Sequence, residues 1–408
     1  MTSRRCLLER LGGLAGAMGL AGCTERFVGS PDTPAHDLEV NPRVEDLPRR
    51  QHAWNEALDT NADNNRLPPR YYRILLLGLA GKPTEDDANT VEHAMRTLEA
   101  AYNFSTVGLL HMLAWGTDYF DRLDRLDTSP IDHPQVISRT DDPDLLSFDA
   151  SLVLASDVPS TLHAVEDAMF GSRSELAGEA VRERLGDVLS VRDRRTGFLG
   201  EGLPAQHANA TEVPRNLRHN APDFMGFFSN VRGAQASEDR VTIQGGTFDG
   251  GTTMHLSHLR QGLEDWWEMD DIDRVVRMFS PEFTPEEVQD LGTTIPFADA
   301  VNEHAREEAI VGHWEKVARV REDGQPLLLR RDFNTVDNGE AGVHFLSLQR
   351  ELSDFVKTRD AMNGWWLRED HESPGNVNER ENNGILNFIE VQSRANFYVP
   401  PREQRAFP

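Results

Sequence analysis

The side chains best suited to chemistry lie between residues 312 and 350. There a histidine, His313, is followed by the run Leu327-Leu328-Leu329-Arg330-Arg331 and then by the alternating segment Gly342-Val-His-Phe-Leu-Ser-Leu-Gln-Arg350. A neutral imidazole can hold a metal or take a proton. A guanidinium keeps its charge and can stabilise an anion that develops as a bond breaks. His304, nine residues before His313, offers the same chemistry and stays an alternative. His255 and His258 lie on a strand-like segment, where a spacing of three sends side chains to opposite faces, so they are not expected to share one metal. The two cysteines, Cys6 and Cys23, both fall in the first 23 residues, so the body of the chain has neither a disulfide framework nor a thiolate metal site.

Such groups need a scaffold to bring them together, and 408 residues can bury a large core. A strand over Tyr71–Leu79, a helix over 84–101 behind a Thr84-Glu-Asp-Asp cap, a strand over 107–115, a strand over 144–154 and a helix over Pro159–Phe170 follow from periodicity and punctuation. This order predicts a split βαβ, ferredoxin-like unit over 70–215. A second unit over 216–408 repeats it: a glycine-punctuated strand pair over 245–259, helical segments over 261–269 and 285–291, a strand over 343–348, a helix over 352–362, and closing strands over 384–391 and 396–400. The expected fold class is α+β, two ferredoxin-like halves of the dimeric α+β barrel type with antiparallel sheets. They would pack sheet to sheet, with one cleft between sheet and helices in the second half.

The chain carries 68 acidic against 42 basic residues, a net charge of −26. That surface repels nucleic acid and anionic headgroups. With lysine scarce beside arginine, it is similar to the proteins of salt-loving archaea, and a halophilic, haloarchaeal origin is expected. Residues 1–23 read as an address: Ser3-Arg4-Arg5-Cys6-Leu7-Leu8 has the twin-arginine form, and Leu20-Ala21-Gly22-Cys23 resembles a lipobox with Cys23 as the lipidated residue. Residues 24–69 read as a tether and N-terminal extension. Export by the twin-arginine route and lipid anchoring on the outer face of the cell membrane are expected, with no other membrane contact.

Several segments, in order, match one family. These are Leu109-Leu-His-Met-Leu-Ala-Trp-Gly-Thr-Asp-Tyr-Phe-Asp-Arg122, Asp144-Leu-Leu-Ser-Phe-Asp-Ala-Ser-Leu-Val-Leu154, Gly250-Gly-Thr-Thr-Met-His-Leu-Ser-His-Leu-Arg-Gln-Gly-Leu-Glu-Asp-Trp266, Leu328-Leu-Arg-Arg-Asp-Phe333 and Ala341-Gly-Val-His-Phe-Leu-Ser-Leu-Gln-Arg350. Over about 71–401 the chain resembles the dye-decolorizing (DyP-type) haem peroxidases. The resemblance implies haem b as cofactor, His313 as the iron ligand, and Arg330 (Arg331 in the other register) as the distal arginine. It also implies hydrogen peroxide and an organic reductant as substrates, and leaves room for a homo-oligomer. Where the family carries Gly-Phe-x-Asp-Gly, this chain has Gly226-Phe-Phe-Ser-Asn230. Ser229 and Asn230 would line the distal side in place of the proton-shuttling aspartate, and neither is a base near neutral pH. Asp223 and Asp249 lie nearby in sequence. The expectation is an exported haem peroxidase. The alternative is a non-catalytic relative at the cell surface that binds haem or has lost it.

Overall fold

The computed structural model describes residues 46–207, 213–231, 233–290, 300–369 and 377–408. The twin-arginine segment and Cys23 lie outside them. Eight strands build the scaffold: β1 Tyr71–Leu79, β2 Leu110–Gly116, β3 Ala150–Ser156, β4 Leu189–Phe198, β5 Thr252–Gln261, β6 Phe333–Thr335, β7 Gly342–Gln349 and β8 Ile389–Val399. The helices that matter are α1 Glu85–Ala101, α2 Pro159–Phe170, α3 Val301–Glu307, α4 His313–Val317 and α5 Leu352–Asn363. α1 begins where the sequence placed its cap: the Thr84 hydroxyl accepts from the Asp87 N–H, and the Asp87 carboxylate returns the bond to the Thr84 N–H.

The first four strands lie in the order β4-β1-β3-β2 and the second four in the order β8-β5-β7-β6. Each is fourth-first-third-second by sequence, the ferredoxin-like arrangement. The sheets are not separate layers. They join edge to edge, through Phe397↔Gly116 and Tyr398↔Trp115 on one side and Asn334↔Phe198 on the other, and close one eight-stranded antiparallel barrel. Closure removes the free strand edges that would otherwise invite pairing with other chains.

Strand alternation divides the side chains. Tyr72, Ile74, Leu76, Met254, Leu256, Leu346 and Leu348 point into the barrel and form its buried interior. Trp54 belongs to that interior, and Gln51 bonds the Leu113 and Pro400 carbonyls. The stretch expected as tether and extension is therefore packed from about Arg50 onward, with Gln51, His52 and Trp54 fully buried. On the outer face of the first half, Leu75, Leu77 and Trp115 meet Val91, Met95 and Leu98 of α1 and Leu162, Val165 and Met169 of α2. Each such side chain contributes roughly 1.5–3 kcal/mol by leaving water.

Several elements differ from their expected limits. The run 144–154 is a two-residue pairing, Asp144–Leu145, followed by a break and then β3. Residues 245–259 hold turns and then the single strand β5. The two closing strands are one, β8, continuous through a register shift between Val391 and Ser393. β4, Leu-Ser-Val-Arg-Asp-Arg-Arg-Thr-Gly-Phe, pairs with β1 along its length, yet its charged sequence masks the strand.

Candidate functional site

A cavity of about 250 Å³ lies between the outer face of the second-half sheet and its helices. That is close to the lower end of the roughly 300–1,000 Å³ typical of small-molecule sites. Its walls are mostly apolar. Leu259, Val343 and Val391 form the floor, and Phe279, Val317, Phe355 and Met362 face them. Into this surface project His313, Arg330, Ser229, Asp223, Asp332, Arg359 and Arg394.

His313 is placed by close backbone packing. Its helix, α4, opens after Gly312, whose N–H donates to Glu315 Oε1 at 2.5 Å. Gly384 has φ +65°, and a Cβ there would sit 2.8 Å from the His313 nitrogen, so only glycine fits. The imidazole is held neutral, its pKa lowered to about 3 by burial and then by Lys316, Arg330 and Arg359. Its Nδ1 is buried without a hydrogen-bond partner among the described residues. The acid two residues on, Glu315, is committed elsewhere: its Oε2 lies 2.7 Å from His304 Nδ1. His304, the alternative to His313, thus holds the carboxylate that caps α4 and does not line the cavity.

Arg330 ends a two-residue strand, Leu329–Arg330, and its neighbour Arg331 faces the other way. Arg330 reaches the cavity, and its Nη2 donates to the Ser229 carbonyl at 2.9 Å. Arg331 turns to the other side, donates to Asn55 Oδ1 at 2.9 Å and is buried beside Trp54. Ser229 lines the cavity. Asn230 does not: its Oδ1 accepts from Gln235 Nε2 at 2.8 Å, and Gln235 Oε1 accepts the Arg330 N–H at 2.8 Å. His255 and His258 take opposite faces, the first 2.8 Å from Asn396 and the second with its ring 4.6 Å from that of His344.

Asp223, Asp332, Arg359 and Arg394 line the cavity without an assigned role at the level of sequence. The Asp223 segment is clamped by a tryptophan pair. Trp266 Nε1 donates to the Met225 carbonyl at 2.9 Å and Trp267 Nε1 to the Phe224 carbonyl at 2.8 Å. Gly226 has φ +89°, and a Cβ there would stand 3.0 Å from the Trp267 ring. Asp223 Oδ1 accepts from the N–H groups of Gly226 at 2.6 Å and Phe227 at 3.0 Å. Burial pushes its carboxyl up to about 7 despite those donors, and nearby Asp332 adds to the rise. Asp249 lies elsewhere, exposed and paired with Arg49 at 3.4 Å.

A sequence profile described as a family of unknown function (DUF7405) matches residues 69–401. The chain belongs to the DUF7405 family. No curated protein sequence matches this DUF7405 chain. Among solved structures, a protein of Shewanella oneidensis described as a DyP-type peroxidase is similar at 13% identity, with 83% of this chain and 95% of that chain covered and a TM-score of 0.55. A variant of DypB from Rhodococcus jostii RHA1 in complex with heme is similar at 15% identity over 83% and 96% of the two chains, with a TM-score of 0.52. A dye-decolorizing protein from V. cholerae gives 12% identity, coverage of 86% and 98%, and a TM-score of 0.50. The DUF7405 chain therefore has the α+β barrel fold of DyP-type peroxidases.

Proposed function

We propose that the chain is a haem-dependent peroxidase of DyP type, exported by the twin-arginine route and anchored through Cys23. The observation that carries the reading is the meeting of His313 and Arg330 in one mostly apolar cavity on the second-half sheet. The residues fit the group. A neutral imidazole with an orphaned buried nitrogen suits a metal ligand. Apolar walls with guanidiniums at the cavity suit a flat macrocycle carrying carboxylates. When bound, haem would supply the iron at which hydrogen peroxide is reduced with electrons from an organic reductant.

The protein's own part is positioning and charge. His313 would hold the cofactor. Arg330, steadied by the Ser229 carbonyl and by Gln235, offers a fixed positive charge to the anion formed as the O–O bond parts. Ser229 has no proton-accepting capacity near neutral pH, but Asp223, with its carboxyl at about 7, can take and return a proton within the same cavity. A carboxyl poised near the working pH favours turnover over the non-catalytic alternative.

The test is peroxide-driven dye oxidation by the mature chain loaded with haem in concentrated salt. Turnover well above that of free haem is expected, with kcat lower by about 10²-fold in Arg330→Leu. A haem-loaded protein no faster than free haem would contradict the reading and return the chain to the non-catalytic class. Export and anchoring are checked by the twin-arginine dependence of secretion and by release of Cys23→Ser from the membrane.

A further inference from the structure

The charges lining the cavity are unevenly matched. Asp223 and Asp332 stand at the β6 side of the floor, and Arg394 rises from β8 at the other. The order β6-β7-β5-β8 puts three strand spacings between them, about 14 Å. Arg394 is 2% exposed, and its Nε and Nη1 are buried with no hydrogen-bond partner among the described residues. Beside it Arg359, also lining the cavity, donates from Nη2 to Asp141 Oδ2 at 2.7 Å and leaves its own Nε unpaired. Asp141 is shared further, with Arg380 Nη1 at 3.5 Å from Oδ1.

Two further neighbours of Arg394 are uncharged. His255 is neutral, its pKa lowered to about 3 by burial and then by Arg394 itself. The Phe355 ring lies 5.7 Å from the Arg394 guanidinium carbon. Among the described residues, Arg359 and Arg380 therefore share the Asp141 carboxylate while Arg394 makes no ion pair with it, inside a protein whose net charge is −26. A buried, unpaired guanidinium is costly to the folded state unless an anion meets it. An acidic chain that keeps such a cluster against a cavity wall has arranged it for something that arrives from outside.

We propose that Arg394 and Arg359 form the anion-holding end of the cavity and bind a carboxylate group of its occupant. The assignment rests on the reading that the cavity takes a large carboxylate-bearing ligand, and it adds the ligand's direction: carboxylates toward β8, the opposite edge toward Asp223 and Asp332. A planar guanidinium presents a fork of N–H donors that matches a carboxylate in two parallel bonds. Burial shields the contact from the salt that would screen a surface pair.

The experiment uses the full mature chain and metal-free protoporphyrin IX, which has carboxylates but no iron, compared with its dimethyl ester, with binding read by porphyrin fluorescence. The free acid is expected to bind at least tenfold more tightly than the ester. Arg394→Met should remove that preference by weakening the acid alone, Arg394→Lys should restore part of it, and Arg359→Met should act in the same direction. Equal affinities for acid and ester in the wild-type protein would overturn the proposal, and this comparison stands even if a variant fails to fold. Loss of haem binding in His313→Ala alongside equal acid and ester affinities would sink the anion site while leaving the cofactor reading intact. Binding of neither porphyrin would sink both.

Discussion

The two halves share one strand order and differ in what fills the layer between sheet and helices. Over the first half the layer is packed with Leu75, Leu77, Val91, Met95, Leu98, Leu152 and Val165. Over the second half the corresponding space is a cavity with His313, Arg330, Asp223 and Arg394 on its walls. Their buried charges differ in the same sense. Against the first-half sheet the C-terminal Arg402 and Arg405 both pair with Glu99, with only Arg402 Nη2 left unbonded among the described residues, His111 Nε2 3.7 Å from the same carboxylate and Glu92 2.9 Å from Arg405 Nε. In the second half Arg394 has no such partner among the described residues. One half is closed as a protein interior; the other keeps an open cavity.

The contrast is sharpest in charge removal. Glu99→Gln should cost about 3–5 kcal/mol of unfolding free energy, because it strands two buried guanidiniums. The wild-type Glu99 carboxyl is held well below its usual range: burial alone would raise it, but His111 and Arg405 outweigh burial. Its stabilisation is therefore present at neutral pH and lost only in strong acid. Arg394→Met in the ligand-free protein should be neutral or stabilising, since it removes an unpaired buried charge. Denaturant titration of both variants decides; a large loss in Arg394→Met would make the halves alike.

Truncation of apolar side chains gives the next effect. Leu98→Ala, in the filled layer, should cost about 2–5 kcal/mol by opening a cavity. Leu259→Ala, on the cavity floor, already borders open space and should cost only about 1 kcal/mol. Equal losses would mean that the second-half layer is as tightly packed as the first.

A smaller effect should appear in pH dependence. Asp223 is raised from 3.8 to about 7, first by burial. Between about pH 4 and pH 7 the unfolded chain has released this proton and the folded protein has kept it. The folded state is thus favoured at low pH, loses that advantage as pH rises through the window, and levels off above pH 7. Asp223→Asn should flatten this part of the profile and gain on the wild type at pH 8, read from denaturant midpoints across pH. Superimposable profiles would place Asp223 in a wetter setting than the cavity wall.

Much of the scaffold was legible in the residues themselves. The apolar run Tyr71–Leu79, the Thr84 cap and the helices α2 and α5 all fall where periodicity and punctuation placed them. The charged strand β4 and the three-residue β6 were not legible, because they form the β4–β6 seam and carry too little apolar alternation. Arg330 and Arg331 could not be told apart by counting from His313; their faces depend on the pleat, which sends one to the cavity and the other to Asn55. Asp223 precedes Gly226-Phe227 in sequence, but its arrival at the cavity depends on Trp266 and Trp267 gripping the backbone that follows it. Arg394 stood in a segment left between the two expected closing strands, and only the continuous β8 brings it beneath Phe355.

Haem held through His313 would complete the second-half cavity. The direct measurement is a visible-absorption titration of the mature wild-type chain and of His313→Ala with haem in concentrated salt. A saturable Soret band at one haem per chain is expected in the wild type and a shifted or absent band in the variant. No Soret band in the wild type, or the same band in both proteins, would contradict it.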